Sequence, residues 1–227
     1  MTINTKTLAA IDIGTNAIRL FISNVEEYPT ETLFKKIAFL RVPIRLGEDV
    51  FTTGEIGQQK RKRLCETMQG FSYIMSAFNV ESYKAYATCA MREARNGKSV
   101  AEQIQKECDL NIEIISGTKE AETIFAGGMN EVVDDDKTYL YVDVGGGSTE
   151  VIVYSKSVKV EACSFPLGTV RMLNDAVDKE EMKHFKKWLK NITEKYTPDA
   201  IIGSGGNINK IHKLLNKKER ERITYQE

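Results

Sequence analysis

The chain has 227 residues and a mass of 25.6 kDa, room for two small domains. Its 32 Lys and Arg balance 32 Asp and Glu, and 41% of its residues are hydrophobic. That composition describes a soluble globular protein and argues against a general nucleic-acid binder, which carries a basic excess. No stretch approaches the run of about 18 apolar residues that a membrane span needs. The N-terminus runs straight into a strand rather than a cleavable signal, so the expected setting is the cytoplasm, with neither membrane nor nucleic acid as partner. The four cysteines, Cys65, Cys89, Cys108 and Cys163, lack metal-ligand or redox spacing and read as free thiols. The two histidines, His184 and His212, sit in Lys-rich helical stretches and leave no basis for a His-dependent triad.

Residues 8–21, LAAIDIGTNAIRLF, read as a strand ending at Asp12, a polar turn (Gly14, Thr15, Asn16) and a returning strand. A third strand is expected over 33–43, completing a meander, with a glycine-containing loop after Arg45. From 55 to 78, the spacing of Ile56, Leu64, Met68, Phe71, Ile74, Met75 and Phe78 is helical and marks core contacts. A strand over 82–88 ends in ATCAMREARN, residues 87–96, a polar stretch opening a helix, which is where α/β proteins meet ligands. Arg92 in that stretch is a phosphate-binding guanidinium fork or a helix-surface residue, and spacing leaves both open. A helix near 99–108 and a strand over 112–115 follow. Ser116 then starts a helix with Glu120 and Glu122 in its first turns, where the helix dipole alone explains acidic residues.

The strand–turn–strand device recurs about 130 residues later. Residues 139–153, YLYVDVGGGSTEVIV, carry an apolar strand ending at Asp143, the glycines Gly145, Gly146 and Gly147, then Ser148, Thr149, Glu150 and a second apolar run. Glycines let the backbone approach an anion closely, and bare N–H groups with the Ser148 and Thr149 hydroxyls can cradle phosphate oxygens. Asp143 stands where a carboxylate can hold a hydrated divalent cation beside that phosphate. An ordinary glycine hairpin is the plainer alternative. Its duplication implies a pseudo-symmetric pair of domains facing one another across a cleft, joined by an exposed hinge over 130–137. Beyond the second hairpin come a strand over 158–165, the segment PLGTVRM with Arg171 as another candidate phosphate contact, and a basic helix over 179–196. A strand over 200–202 then leads into a third glycine-rich turn, residues 203–207. The second half repeats the order of the first but lacks its last strand and helix.

Five segments together carry a specific likeness: DIGTN (12–16), ATCAMREARN (87–96), SGTKEA (116–121), DVGGGSTE (143–150) and GSGG (203–206). In this order they resemble the exopolyphosphatase/guanosine pentaphosphate phosphohydrolase (Ppx/GppA) family, within the superfamily of acetate and sugar kinases, heat-shock chaperones and actin. The resemblance implies an α/β chain of two ribonuclease H-like, actin-like ATPase domains, each with a mixed five-stranded sheet, the second incomplete. The expected division is 1–128 and 129–227. It further implies that Glu120 is the general base activating the attacking water, and that Asp143 and Glu150 surround a catalytic Mg2+ and the nucleophilic water. Asp12, Gly14, Thr15 and Asn16 match the first phosphate loop, Gly145, Gly146, Gly147 and Ser148 the second, and Arg92 a basic contact on the phosphate chain.

The implied activity is Mg2+-assisted release of terminal orthophosphate from polyphosphate or guanosine pentaphosphate, with a homodimer as the possible assembly. A small-molecule kinase of the same superfamily would need an adenine pocket and an acceptor-activating Asp, for which there is no clear sequence. A non-catalytic sensor of guanosine tetraphosphate or polyphosphate is the remaining alternative, against which Glu120, Asp143 and Glu150 count. Thr15 and Ala17 replace the serines usual in the first loop, and Asn207 stands where a Thr commonly follows the last Gly-Gly.

Overall fold

The structure, a computed structural model, describes residues 4–126, 134, 136–156, 158–218, 221–224 and 226. Most of the expected 130–137 hinge therefore lies outside the described residues. The chain forms two compact units, Met1–Ser116 and Gly117–Glu227.

In the first unit, β1 (Asn4–Ile13), β2 (Ile18–Glu27) and β3 (Thr32–Val42) form the meander, and β4 (Ser82–Ala87) and β5 (Glu113–Ile114) join in parallel. The sheet order is β3-β2-β1-β4-β5. Its alternating residues Ile11, Ile13, Ile18, Leu20 and Ile22 are buried, because a period of two turns one side of each strand onto the helices. That layer is α2 (Gln58–Ala77) and α4 (Gly97–Cys108). Leu64, Met68, Phe71 and Met75 of α2, with Val100, Ile104 and Cys108 of α4, complete one apolar cluster with the strands. Leu64 is fully buried there, so Leu64→Ala is expected to cost about 2–5 kcal/mol, readable as a lowered urea midpoint at unchanged slope.

Two further helices precede α4: α1 (Leu46–Thr53) and α3 (Cys89–Glu93). The segment after Arg45, expected as a loop, is thus helical. Leu46 and Val50 anchor it in the core, and the Thr52 and Thr53 hydroxyls bond back to the carbonyls of Glu48 and Asp49.

The second unit opens with α5 (Gly117–Ala126), followed by β6 (Thr138–Val144), β7 (Thr149–Ser155) and β8 (Val158–Phe165). Helices α6 (Thr169–Leu173) and α7 (Lys179–Tyr196), strand β9 (Ala200–Ser204) and α8 (Gly205–Leu214) complete it. Helix α5 groups with this unit rather than with residues 1–116, so the division falls after Ser116 rather than after residue 128. The physical reason is that Ala121 is buried among Tyr139, Tyr141, Ile152 and Tyr154, with Ile124 packed beside them. The opposite sheet face, through Leu140, Val151 and Val153, packs on Ile192, Phe185, Trp188 and Leu189 of α7. Phe165 meets His184, Phe185 and Trp188 edge-on at 4.9–5.5 Å. A helix layer thus covers each face, which explains why β7 is buried on both sides.

The expectation of five strands in each sheet needs one correction. The second sheet has four, in the order β8-β7-β6-β9, because among the described residues the chain after β9 forms α8 and adds no strand. Ile201 on the outer strand is accordingly 69% exposed. No helix among the described residues is long and apolar enough to cross a membrane.

Candidate functional site

Both glycine turns fold alike. In the second, the Gly145 N–H donates to the Ser148 carbonyl at 2.9 Å, closing the β6–β7 hairpin; in the first, the Gly14 N–H donates to the Ala17 carbonyl at 3.2 Å. By the matching bond Ala17 stands where the second turn has Ser148, so the first loop lacks that hydroxyl. Thr15 and Ser148 are both 5% exposed.

What orients each loop is a following segment that takes its carbonyls. The N–H groups of Val170 and Arg171 donate to the Gly146 carbonyl at 2.8 and 3.1 Å, and that of Thr169 to Gly145 at 3.1 Å. The Arg171 guanidinium Nε donates to the Gly147 carbonyl at 3.0 Å, and the Thr149 hydroxyl bonds to the Leu167 carbonyl. With three successive carbonyls drawn to one side, the N–H groups of Gly146, Gly147 and Ser148 have no acceptor among the described residues. A run of bare N–H groups on a glycine turn is an anion-binding concavity.

The first loop is held the same way, since Gly47 N–H donates to Thr15 and Arg45 N–H to Asn16, both at 2.9 Å. Arg45 is left-handed (φ 60). It is locked there by its bond to Asn16 and by Lys60 Nζ, which donates to the Arg45 carbonyl at 2.6 Å. Sequence reasoning offered Arg171 as a candidate phosphate contact and Arg45 as a residue that could point into a cleft, and gave neither segment this clamping role. A signal existed, because both segments directly follow the third strand of their unit.

The two hairpins differ in charge. Asp12 and Arg19 are directly opposed in the β1–β2 register and form an ion pair of 2.9 Å. At the equivalent register Asp143 opposes Glu150. Like charges directly opposed on a sheet cost up to about 1 kcal/mol at exposed sites. Glu150 is 2% exposed. The Ser164 hydroxyl donates to Glu150 Oε1 at 2.9 Å. Two opposed carboxylates beside an anion cradle suit a divalent cation, and Mg2+ takes one or two carboxylates plus substrate oxygens. Among the described residues no cluster of three or more potential metal ligands forms.

The other expected site residues lie as follows. Glu120 is in the first turn of α5, half-buried, next to Ala121, which packs against Tyr141 two residues before Asp143. Burial pushes the Tyr141 phenol up from its ordinary pKa, Asp143 and Glu150 add to the rise, and a hydrogen bond with Ser204 opposes it. Arg92 belongs to the first unit, on α3, which leaves β4 beside the end of β1, where the Thr88 N–H donates to the Ile13 carbonyl at 3.2 Å. Its Nη1 donates to the Ile115 carbonyl at 2.8 Å, tying α3 to the segment before α5. The cysteines are free thiols, and burial pushes Cys65 up to about 11.

The model of the Ppx/GppA phosphatase family matches residues 22–225. The chain belongs to the Ppx/GppA phosphatase family. Among relatives of this Ppx/GppA chain, a bifunctional 3-dehydroquinate synthase/phosphatase of Fusobacterium nucleatum is 32% identical over 168 residues, covering 72% of this chain and 25% of that protein. Exopolyphosphatase 2 of Mycobacterium tuberculosis is 28% identical over 170 residues, covering 73% of this chain and 53% of that one. The chain thus spans from a quarter to about half the length of these relatives. The crystal structure of an exopolyphosphatase from Cytophaga hutchinsonii matches with a TM-score of 0.81 at 25% identity, covering 97% of this chain and 73% of that one. The Aquifex aeolicus Ppx/GppA family member matches with a TM-score of 0.74 at 26% identity, covering 96% and 72%. These matches agree with an α/β chain built on two mixed sheets.

Proposed function

We propose that this Ppx/GppA chain hydrolyses phosphoanhydrides, releasing terminal orthophosphate from inorganic polyphosphate. The observation that carries the reading is the second hairpin: a cradle of N–H groups at Gly146–Ser148 with no acceptor among the described residues, and two opposed carboxylates, Asp143 and Glu150, at its root. The exopolyphosphatase names of its relatives support polyphosphate as the substrate class.

Phosphoryl transfer asks mainly for positioning and for neutralisation of charge on the transferred group. The cradle amides and the Ser148 hydroxyl hold oxygens of the terminal phosphoryl group. Glu120 takes a proton from the attacking water. The water oxygen bonds to phosphorus in line as the anhydride P–O bond breaks, and the shortened chain leaves. Asp143 and Glu150 would hold a Mg2+ ion. When bound, that ion neutralises phosphate charge and stabilises the leaving oxygen.

The test is phosphate release with Mg2+ from long-chain polyphosphate and, separately, from guanosine pentaphosphate. Release from polyphosphate, abolished by chelation, is the expected result. Release from guanosine pentaphosphate alone would move the substrate to the nucleotide, and a folded chain that releases phosphate from neither would end the hydrolase reading.

A further inference from the structure

The third glycine-rich turn has no place in the scheme so far, yet it is built against the second hairpin. Strand β9 pairs in parallel with β6, bringing Ser204 level with Asp143. Three successive contacts then tie the start of α8 to the end of β6. The Tyr141 hydroxyl donates to Ser204 Oγ at 2.6 Å. Gly205 sits so close to Asp143 that a Cβ added there would lie 2.6 Å from Asp143 Oδ1, and its φ of +90 lies in the left-handed region. Asn207 Nδ2 donates to the Val144 carbonyl at 2.8 Å.

We infer that the turn Ser204–Asn207 is a positioning device for the Asp143 carboxylate, with Gly205 and Asn207 as its specific parts. Beyond β9's last residue the β6 backbone has no ladder partner on that side, and Val144, the residue that follows Asp143, is where the strand turns into the cradle. The Asn207 amide supplies the missing donor and fixes the Val144 peptide, hence the direction from which Asp143 emerges. Gly205 abuts the carboxylate itself, where a Cβ would displace Oδ1. The left-handed φ independently excludes most residues from this position. A Thr at this position would keep a side-chain donor in the form of a hydroxyl.

This inference rests on the reading of Asp143 as a cation ligand, and its test separates the two. Mn2+, used as the probe, would be titrated calorimetrically into the chain without substrate for wild type, Asp143→Asn, Gly205→Ala, Asn207→Asp and Asn207→Thr, with circular dichroism melts for each. Groups that orient a metal ligand are commonly worth about 10–100-fold in metal affinity. Gly205→Ala is expected to weaken Mn2+ binding by about tenfold or more, and to raise the Mg2+ concentration for half-maximal phosphate release by a similar factor. KM for substrate at saturating Mg2+ should stay near wild type. Asn207→Asp, which puts an acceptor against the Val144 carbonyl, should weaken binding in the same direction, and Asn207→Thr should restore it.

If Gly205→Ala loses its fold, the Asn207 pair decides the matter, since both variants keep a residue of similar size on an exposed-to-intermediate turn. Wild-type Mn2+ affinity in folded Gly205→Ala and Asn207→Asp, with Asp143→Asn weakened, overturns the positioning role alone. Unchanged affinity in Asp143→Asn overturns the cation-ligand reading and the positioning role with it.

Discussion

Glu120→Gln is expected to lower kcat for phosphate release by about 10²–10⁴-fold, the usual contribution of a positioned general base. The substitution keeps the shape of the side chain and removes its negative charge, and with it the capacity to accept the proton of the attacking water. It lies in the first turn of α5, where Ala121 makes the packing contact with the second sheet, so the melting temperature should hardly move. A base that acts only in the transition state lowers kcat and kcat/KM together, with KM little changed. Glu122→Gln is the matched control. Glu122 is an exposed residue paired with Lys159 at 3.5 Å, an interaction of about 0–1 kcal/mol. Steady-state kinetics on the two variants would decide the assignment: equal rates for both would remove Glu120 from the chemistry.

The second large effect is expected at a residue that makes no contact with substrate. A Cβ built on Gly168 would lie 2.3 Å from the Gly146 carbonyl oxygen and 2.4 Å from the Gly147 nitrogen. Both obstacles are backbone of the phosphate cradle, so neither can swing aside as a side-chain tip would. Gly168 is itself extended (φ −140), so no conformational strain is involved; the position needs glycine purely for close approach. Gly168→Ala must push the cradle off the clamp that orients its N–H groups, a displacement of about 1 Å, and a misplacement of that size can cost about a hundredfold in rate. Stability should fall by about 1–3 kcal/mol, the usual cost of an overpacked site. Gly70→Ala, with nothing within 4 Å and in the middle of α2, is the control; it should gain up to about 1 kcal/mol from helix propensity. Measured kcat and urea midpoints for the pair separate loss of cradle geometry from general weakening. Wild-type turnover in a folded Gly168→Ala would show that the clamp does not set the geometry of the cradle.

The sequence marks the two hairpins because their information is local. An apolar run ending in Asp, then a glycine turn, then another apolar run dictates strand, turn and returning strand with no reference to anything distant. The duplication of that pattern carries the two-unit plan. Helices α2 and α7 are readable for the same reason, since Leu64, Met68, Phe71 and Met75 are spaced by three or four residues. Helix α1 escaped because its glycine and threonines favour a loop reading, and only the burial of Leu46 and Val50 makes its helical form stable.

What the sequence by itself determined, then, is the pair of glycine loops, the acidic residues flanking them and the family to which they belong, because each is written in a continuous stretch. The tertiary structure alone decided which side of each loop is open, since that depends on carbonyls captured by residues about 24 to 32 positions further along the chain. It also decided that Asp12 is neutralised by Arg19 whereas Asp143 is opposed by Glu150. Strand register, which sequence periodicity constrains only to within a face, sets which charges meet across the ladder. The same is true of α5 joining the second sheet and of Gly205 abutting Asp143, both of which arise from packing between segments distant in sequence.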